Sequence, residues 1–205
     1  MNIYKYHTNP TQLLYHDRIV EIKGELVFKT DDGLFAIGDL YLRYTKITQL
    51  PDNLKVGGDL DLSYSKITQL PDGLKVSGSL NLTSTPITKL PDGLKVGSHL
   101  DLQGIQITQL PDGLKVGGGL NLGGTLITEL PDDLEVSGSL NLSDTPITRL
   151  PDGLEVGGSL ILLGTPITHL PKGLKVSGGL NLDETPITQL PDDLKVGGEI
   201  IGFKG

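Results

Sequence analysis

Apolar residues in this chain fall into files twenty positions apart. Leu14, Leu34, Leu54, Leu74, Leu94, Leu114, Leu134, Leu154, Leu174 and Leu194 make one file, and the frame runs without insertion or deletion from about residue 34 to residue 200. Within one period, Leu80, Leu82, Ile87, Leu90, Leu94 and Val96 are the inward apolar positions. The pairs Leu80/Leu82 and Leu94/Val96 alternate with polar or small residues, which is the period of a strand, and no apolar set recurs at helical spacing. One such coil cannot bury six large side chains by itself. Stacked coils can, because each file becomes a continuous ribbon of like residues. The expected architecture is a mainly β solenoid of about ten 20-residue coils, the first of them degenerate with Val20, Ile22 and Val27 in frame. At ~4.8 Å per coil its length is on the order of 48 Å.

Two bends are legible in each coil. Leu90-Pro91-Asp92-Gly93 places proline where φ near −65° is wanted and glycine at the end of a type I turn. The Gly93 file otherwise holds Gly, Asn53, Asp133 and Asp193, residue types that tolerate a left-handed backbone, so positive φ is expected along it. Positions equivalent to 77 and 78 are Gly or Ser through the central coils, which predicts a bend where neighbouring backbones approach closely.

The pattern L-x-L-x-x-T-x-I-x-x-L-P-x-x-L, carried by Leu80, Leu82, Thr85, Ile87, Leu90, Pro91 and Leu94, resembles a leucine-rich repeat. It is most similar to the short bacterial repeats of secreted enterobacterial effectors, over about residues 30–200. The resemblance implies a binding scaffold. The ubiquitin-ligase domain that such effectors often add needs a catalytic cysteine, and this chain has no Cys. Where the family has a ladder asparagine, this chain has Thr45, Ser65, Thr85, Ile105, Thr125, Thr145, Thr165 and Thr185. The first leucine of the family's strand motif is replaced by Gly or Ser. A three-sided β-helix satisfies the same files and stands as the alternative architecture.

The frame divides the chain into an N-terminal cap with the degenerate coil (1–33), the repeat solenoid (34–198) and a short C-terminal plug (199–205). The stretch HDRIVEIKGELVFK fits either a coil or a hairpin turning at Lys23-Gly24. Ile200, Ile201 and Phe203 form a plug too short to seal an apolar end, so a homodimer through the C-terminal edge is expected.

Composition narrows the function. Among 205 residues there are 28 Gly, 13 Pro and no Cys, aromatics are 4%, and the formal charge is −8. Absence of cysteine removes disulfides, thiolate metal sites and cysteine nucleophiles. The acidic balance disfavours direct nucleic-acid binding. No apolar run approaches the roughly 20 residues of a membrane span, and the N-terminal residues lack a signal-peptide pattern. The expected location is the cytoplasm of the producing cell, or a host cell after delivery. His7, His16, His99 and His169 are scattered, the Gly-rich stretches repeat with the coil and lack a phosphate-loop signature, and no catalytic set, metal site or cofactor is expected. The chain therefore reads as a non-enzymatic scaffold that captures another protein.

Variable outward positions are where a partner would be recognised. All six tyrosines lie at or before residue 64. Tyr41, Arg43, Tyr44, Asp59, Asp61 and Tyr64 form a patch of interface-type residues. Ile161 and Leu163 stand where other coils carry polar residues. Two other readings use the charged and hydroxyl files. Asp52, Asp72, Asp92, Asp112, Asp132, Asp152 and Asp192 stack one per coil beside a mostly lysine file, which suggests an acidic nucleic-acid mimic. At ~5 Å such carboxylates repel by roughly 0.8 kcal/mol in water. The unbroken row Thr48, Thr68, Thr88, Thr108, Thr128, Thr148, Thr168 and Thr188 suggests a structural or ice-binding rod.

Overall fold

A computed structural model describes residues 19–22, 25–30, 33–36 and 38–205, with side chains described at Ala36 and at 38–205. The early cap residues, including Leu14, lie outside this set. Among the described residues there is no helix. The first strands are β1 (Ile19–Ile22), β2 (Glu25–Thr30), β3 (Gly33–Ala36) and β4 (Leu40–Tyr41). Thereafter each coil repeats two short strands, beginning with β5 (Lys55–Val56) and β6 (Leu60–Asp61) and ending with β19 (Lys195–Val196) and β20 (Ile200–Ile201).

The strands build two sheets. One has 11 strands and the other 9, and within each, successive coils pair in parallel at a strict twenty-residue offset, as in Val76 with Val96 and Leu100 with Leu120. The remaining side of each coil, such as residues 85–90, carries no strand, so the solenoid has two sheets rather than three. Of the two readings of the N-terminal segment, its described strands fit the antiparallel one, and the Lys23-Gly24 turn lies outside the described residues. β1 runs antiparallel to β2, with Val20 opposite Val27, and β2 runs antiparallel to β3, which then joins the parallel ladder through Ala36 and Val56. Because Val20 and Ile22 belong to this meander, the expected degenerate coil is not wound, and the solenoid makes about eight turns between Leu40 and Ile200 instead of ten.

The inward files are as the alternation requires. Leu80, Leu82, Ile87, Leu90, Leu94 and Val96 are each at most 3% exposed. Leu94 and Leu114 belong to one continuous core cluster extending from Ala36 to Ile187. Burial of each such side chain contributes roughly 1.5–3 kcal/mol, which offsets the conformational entropy lost by many short, otherwise weak strands.

Polar residues enter this core only with partners. The Thr85 hydroxyl donates to the Leu82 carbonyl oxygen at 2.7 Å, and Thr45, Thr125, Thr145, Thr165 and Thr185 repeat the bond at 2.7 Å in their own coils. A hydroxyl thus serves the bend, and Ile105 fills the same position with apolar bulk. Among the described residues no buried side-chain polar atom lacks a partner.

The bends differ in part from expectation. Asn53, Gly73, Gly93, Gly113, Gly153 and Gly173 have positive φ, but Asp133 and Asp193 do not. Instead the Asp133 carboxylate accepts the Gly113 N–H at 3.1 Å and that of Asp193 accepts the Gly173 N–H at 2.8 Å, one coil back. An aspartate here can thus satisfy a neighbouring donor without entering the left-handed region. At the Gly/Ser bend a Cβ added to Gly97 would lie 2.0 Å from the Ser77 carbonyl oxygen, and one on Gly138 2.6 Å from the Gly119 nitrogen, so close backbone approach explains the small residues.

Replacing Thr145 by Val should lower stability by about 1 kcal/mol, since the Leu142 carbonyl loses one of two donors. Thr148→Val, in the exposed row, should stay within about 0.5 kcal/mol. Denaturant midpoints of the two variants check this contrast.

Candidate functional site

The turn that leaves each β4-type strand brings the tyrosine patch together. Tyr41 is on β4, while Arg43 and Tyr44 occupy the turn after it. One coil on, Asp61 is on β6 and Tyr64 is in the equivalent turn, while Asp59 immediately precedes β6. Tyr41, Tyr44 and Tyr64 are 53%, 68% and 49% exposed. The Tyr44 and Tyr64 rings stack at 4.9 Å between centroids with an interplanar angle of 12°. The Arg43 guanidinium lies 5.8 Å from the Tyr44 ring centroid and 3.7 Å from the Asp61 carboxylate, so one charge holds the edge of the aromatic stack.

The backbone under the stack is unusual. Tyr44 and Tyr64 both have φ of 56°, in the left-handed region. Every later coil repeats this conformation, at Ser84, Gly104, Gly124, Asp144, Gly164 and Glu184. Sequence reasoning missed this bend. Its signal was the scatter of Gly and Asp in a file that also admits Tyr, Ser and Glu. For a bulky residue this conformation costs roughly 1–2 kcal/mol.

The carboxylates serve the rod as well as the patch. Asp59 Oδ1 accepts the Ser79 N–H at 2.6 Å, and Asp61 Oδ1 accepts both the Ser63 N–H at 3.0 Å and the Ser63 hydroxyl at 2.6 Å. The Asp61 position is part of a second ladder that the sequence did not reveal. Asn81, Asp101, Asn121, Asn141 and Asn181 each accept the N–H two residues on, and Asn121 and Asn141 also donate to the coil before. Tyr41 and Ile161 are the two members of that file, from 41 to 181, that cannot cap the turn. One position earlier in sequence than β4, Asp39 Oδ1 accepts the Asp59 N–H at 2.8 Å while its Oδ2 accepts the Tyr41 hydroxyl at 3.0 Å. His99 plays the same part for Gly119, whose N–H reaches Nδ1 at 2.8 Å, so the ring is held as an acceptor there.

Electrostatics follow from these bonds. The Asp59 N–H and then the Tyr41 hydroxyl hold Asp39 below the usual carboxylate range. Asp39, by accepting the Tyr41 hydroxyl, pushes that phenol above its ordinary value.

Ile161 and Leu163 are half-buried and lie apart from the tyrosines. Ile161 is six coils from Tyr41 in the same file, on the order of 29 Å at ~4.8 Å per coil. With Ile201 it borders an open depression floored by Gly179. The aspartate file is exposed, the mostly lysine file is paired between coils at Lys115, 3.4 Å from Glu135, and at Lys175, bonded to Glu155, and outside both files Arg149 lies 3.3 Å from Glu129. Among the described residues no cluster of three or more acidic or histidine side chains is placed to hold a metal ion. No family model matches the chain. No curated protein matches it either.

The Tyr41 phenol should titrate above the ordinary 10.0, and Asp39→Asn should return it toward that value, as read from the tyrosine ring resonances. The Asp39 contribution to stability should be present above the ordinary 3.8 and disappear as pH falls through the lowered folded value.

Proposed function

We propose that the chain is a non-enzymatic scaffold that captures a partner protein through the patch of Tyr41, Arg43, Tyr44 and Tyr64. The observation that carries this reading is the pair of left-handed tyrosines. The rod itself is served at this bend by glycine at Gly104, Gly124 and Gly164 and by smaller or flexible polar residues at Ser84, Asp144 and Glu184. Tyrosine adds backbone strain, and its ring is left largely in solvent. A strained, exposed aromatic pair braced by arginine is poorly explained by stability and well explained by recognition. Stacking pre-organises the rings, so little side-chain freedom is lost when a partner docks.

The resemblance to short bacterial leucine-rich repeats supports the same class, a surface that binds protein without chemistry. In this reading Asp59 and Asp61 hold the platform through the Ser79 and Ser63 backbone and hydroxyl bonds, and Asp61 also orients Arg43. Ile161 and Leu163, at their distance, lie outside a contact centred on the tyrosines.

Tyr64→Gly separates recognition from folding. Relief of about 1–2 kcal/mol of strain offsets the loss of about 0.5–1.5 kcal/mol of stacking, so the unfolding midpoint should barely move. Capture should fall at least tenfold, as should that of Arg43→Ala, measured by titrating the partner retained from the native cell. A partner held equally well by Tyr64→Gly and by Tyr41→Ala/Arg43→Ala would exclude this surface.

A further inference from the structure

The C-terminal coil ends in backbone groups whose directions are determined by the coil before it. A trans peptide unit points its N–H and C=O in opposite directions, and no cis bond occurs among the described residues. In the last strand of the 9-stranded sheet, the Glu199 and Ile201 carbonyls accept from Leu180 and Leu182 at 2.9 Å. The N–H groups of Ile200 and Gly202 therefore point away from the solenoid. In the last strand of the 11-stranded sheet, the Lys195 and Gly197 N–H groups donate to Leu174 at 3.1 Å and Val176 at 2.9 Å. The carbonyls of Leu194 and Val196 therefore point away too. The parallel pairing of Val196 with Val176 and of Ile200 with Leu180 leaves the Val196 N–H and the Ile200 C=O outward as well.

The side chains at this end agree. Leu190, Leu194, Val196, Ile200 and Phe203 are only partly buried, whereas Leu170, Leu174, Val176 and Leu180 one coil earlier are at most 7% exposed. Phe203, following the positive-φ turn at Gly202, packs against the core without enclosing it. Among the described residues nothing pairs with the edge.

We propose that the edge is completed by a second copy of this chain, related by a two-fold axis through Gly198. The register follows from the outward groups alone. Turning the terminal coil over about Gly198 places Val196 opposite Ile200 of the second copy, and Leu194 opposite its Gly202. Val196 and Ile200 each offer an outward N–H and C=O, so they exchange two bonds as a narrow antiparallel pair. The outward Gly202 N–H meets the outward Leu194 carbonyl. The first sheet of one copy thus continues into the second sheet of the other, and both edges close in one step. A two-fold about either strand alone would join one sheet and leave the other open. Charge agrees with the register, because exposed Lys195 lies diagonal to exposed Glu199 of the second copy. The contact covers the incompletely buried end of the core and lies at the opposite end of the rod from the tyrosines.

Sedimentation equilibrium of the 205-residue chain at tens of micromolar should give twice the chain mass. Ile200→Pro deletes an N–H that makes no bond within the chain, so it should keep the circular dichroism of the parent and sediment as a monomer. The chain has no cysteine of its own. A Lys195→Cys chain mixed with an Ile201→Cys chain should form a disulfide-linked dimer on oxidation, and neither should do so alone, since residues 195 and 201 face each other across the axis. A monomeric parent, a dimer that Ile200→Pro leaves intact, or cross-linking of Lys195→Cys to itself would each overturn the proposal. None of these outcomes bears on capture at Tyr64, so the two ideas fail separately.

Discussion

Each coil hydrogen-bonds its backbone to the next at a fixed offset of twenty residues, and the rest of the molecule answers to that constraint. Strand side chains alternate between core and solvent, so a slip of one residue would turn an entire inward file outward. The parallel ladders of Leu100 with Leu120 and Val76 with Val96 therefore hold the register and the core together. Two-residue strands would be marginal alone. Stacked, they share one continuous core from Ala36 to Ile187 and gain stability from nearest neighbours.

A regular ladder demands regular bends, and the chain solves each bend with a different chemistry. At the Thr85 file a hydroxyl reaches back three residues to a carbonyl. At the Asn81 file a side-chain carbonyl reaches forward two residues to an N–H. At the Asp39 and Asp59 positions a carboxylate crosses to the next coil. Each device satisfies a backbone group that a strand would otherwise leave orphaned. Asp59 and Asp61, read from sequence as partner-contacting residues, are engaged in these bonds. Their outward direction was legible, but the groups they reach are set by the fold: Asp59 bonds the neighbouring coil, and Asp61 bonds a turn whose shape the stacking fixes.

The rod departs from its own regularity at a few positions. Later coils place Gly, Ser, Asp or Glu at the left-handed bend, and the first two place tyrosines there. Most coils place Asn or Asp in the capping file, and Tyr41 and Ile161 break it. The N-terminal edge of the 11-stranded sheet is met by an antiparallel meander, whereas the C-terminal coil keeps outward donors and acceptors in both sheets.

The sequence by itself determined the repeat length, the inward files, the small-residue bend and the clustering of tyrosines. All of these follow from periodicity and residue size, which need no knowledge of what lies across the axis. Only the tertiary structure decided that Ile19–Ile22 and Glu25–Thr30 pair antiparallel rather than winding as a coil, because Val20 and Ile22 alternate identically in both. It also decided that Asp133 and Asp193 keep an ordinary backbone, since an N–H from the preceding coil, twenty residues away, supplies the partner that the residue type alone could not reveal. The stacking of Tyr44 on Tyr64 has the same origin: two residues in different coils become neighbours only once the windings lie one upon another.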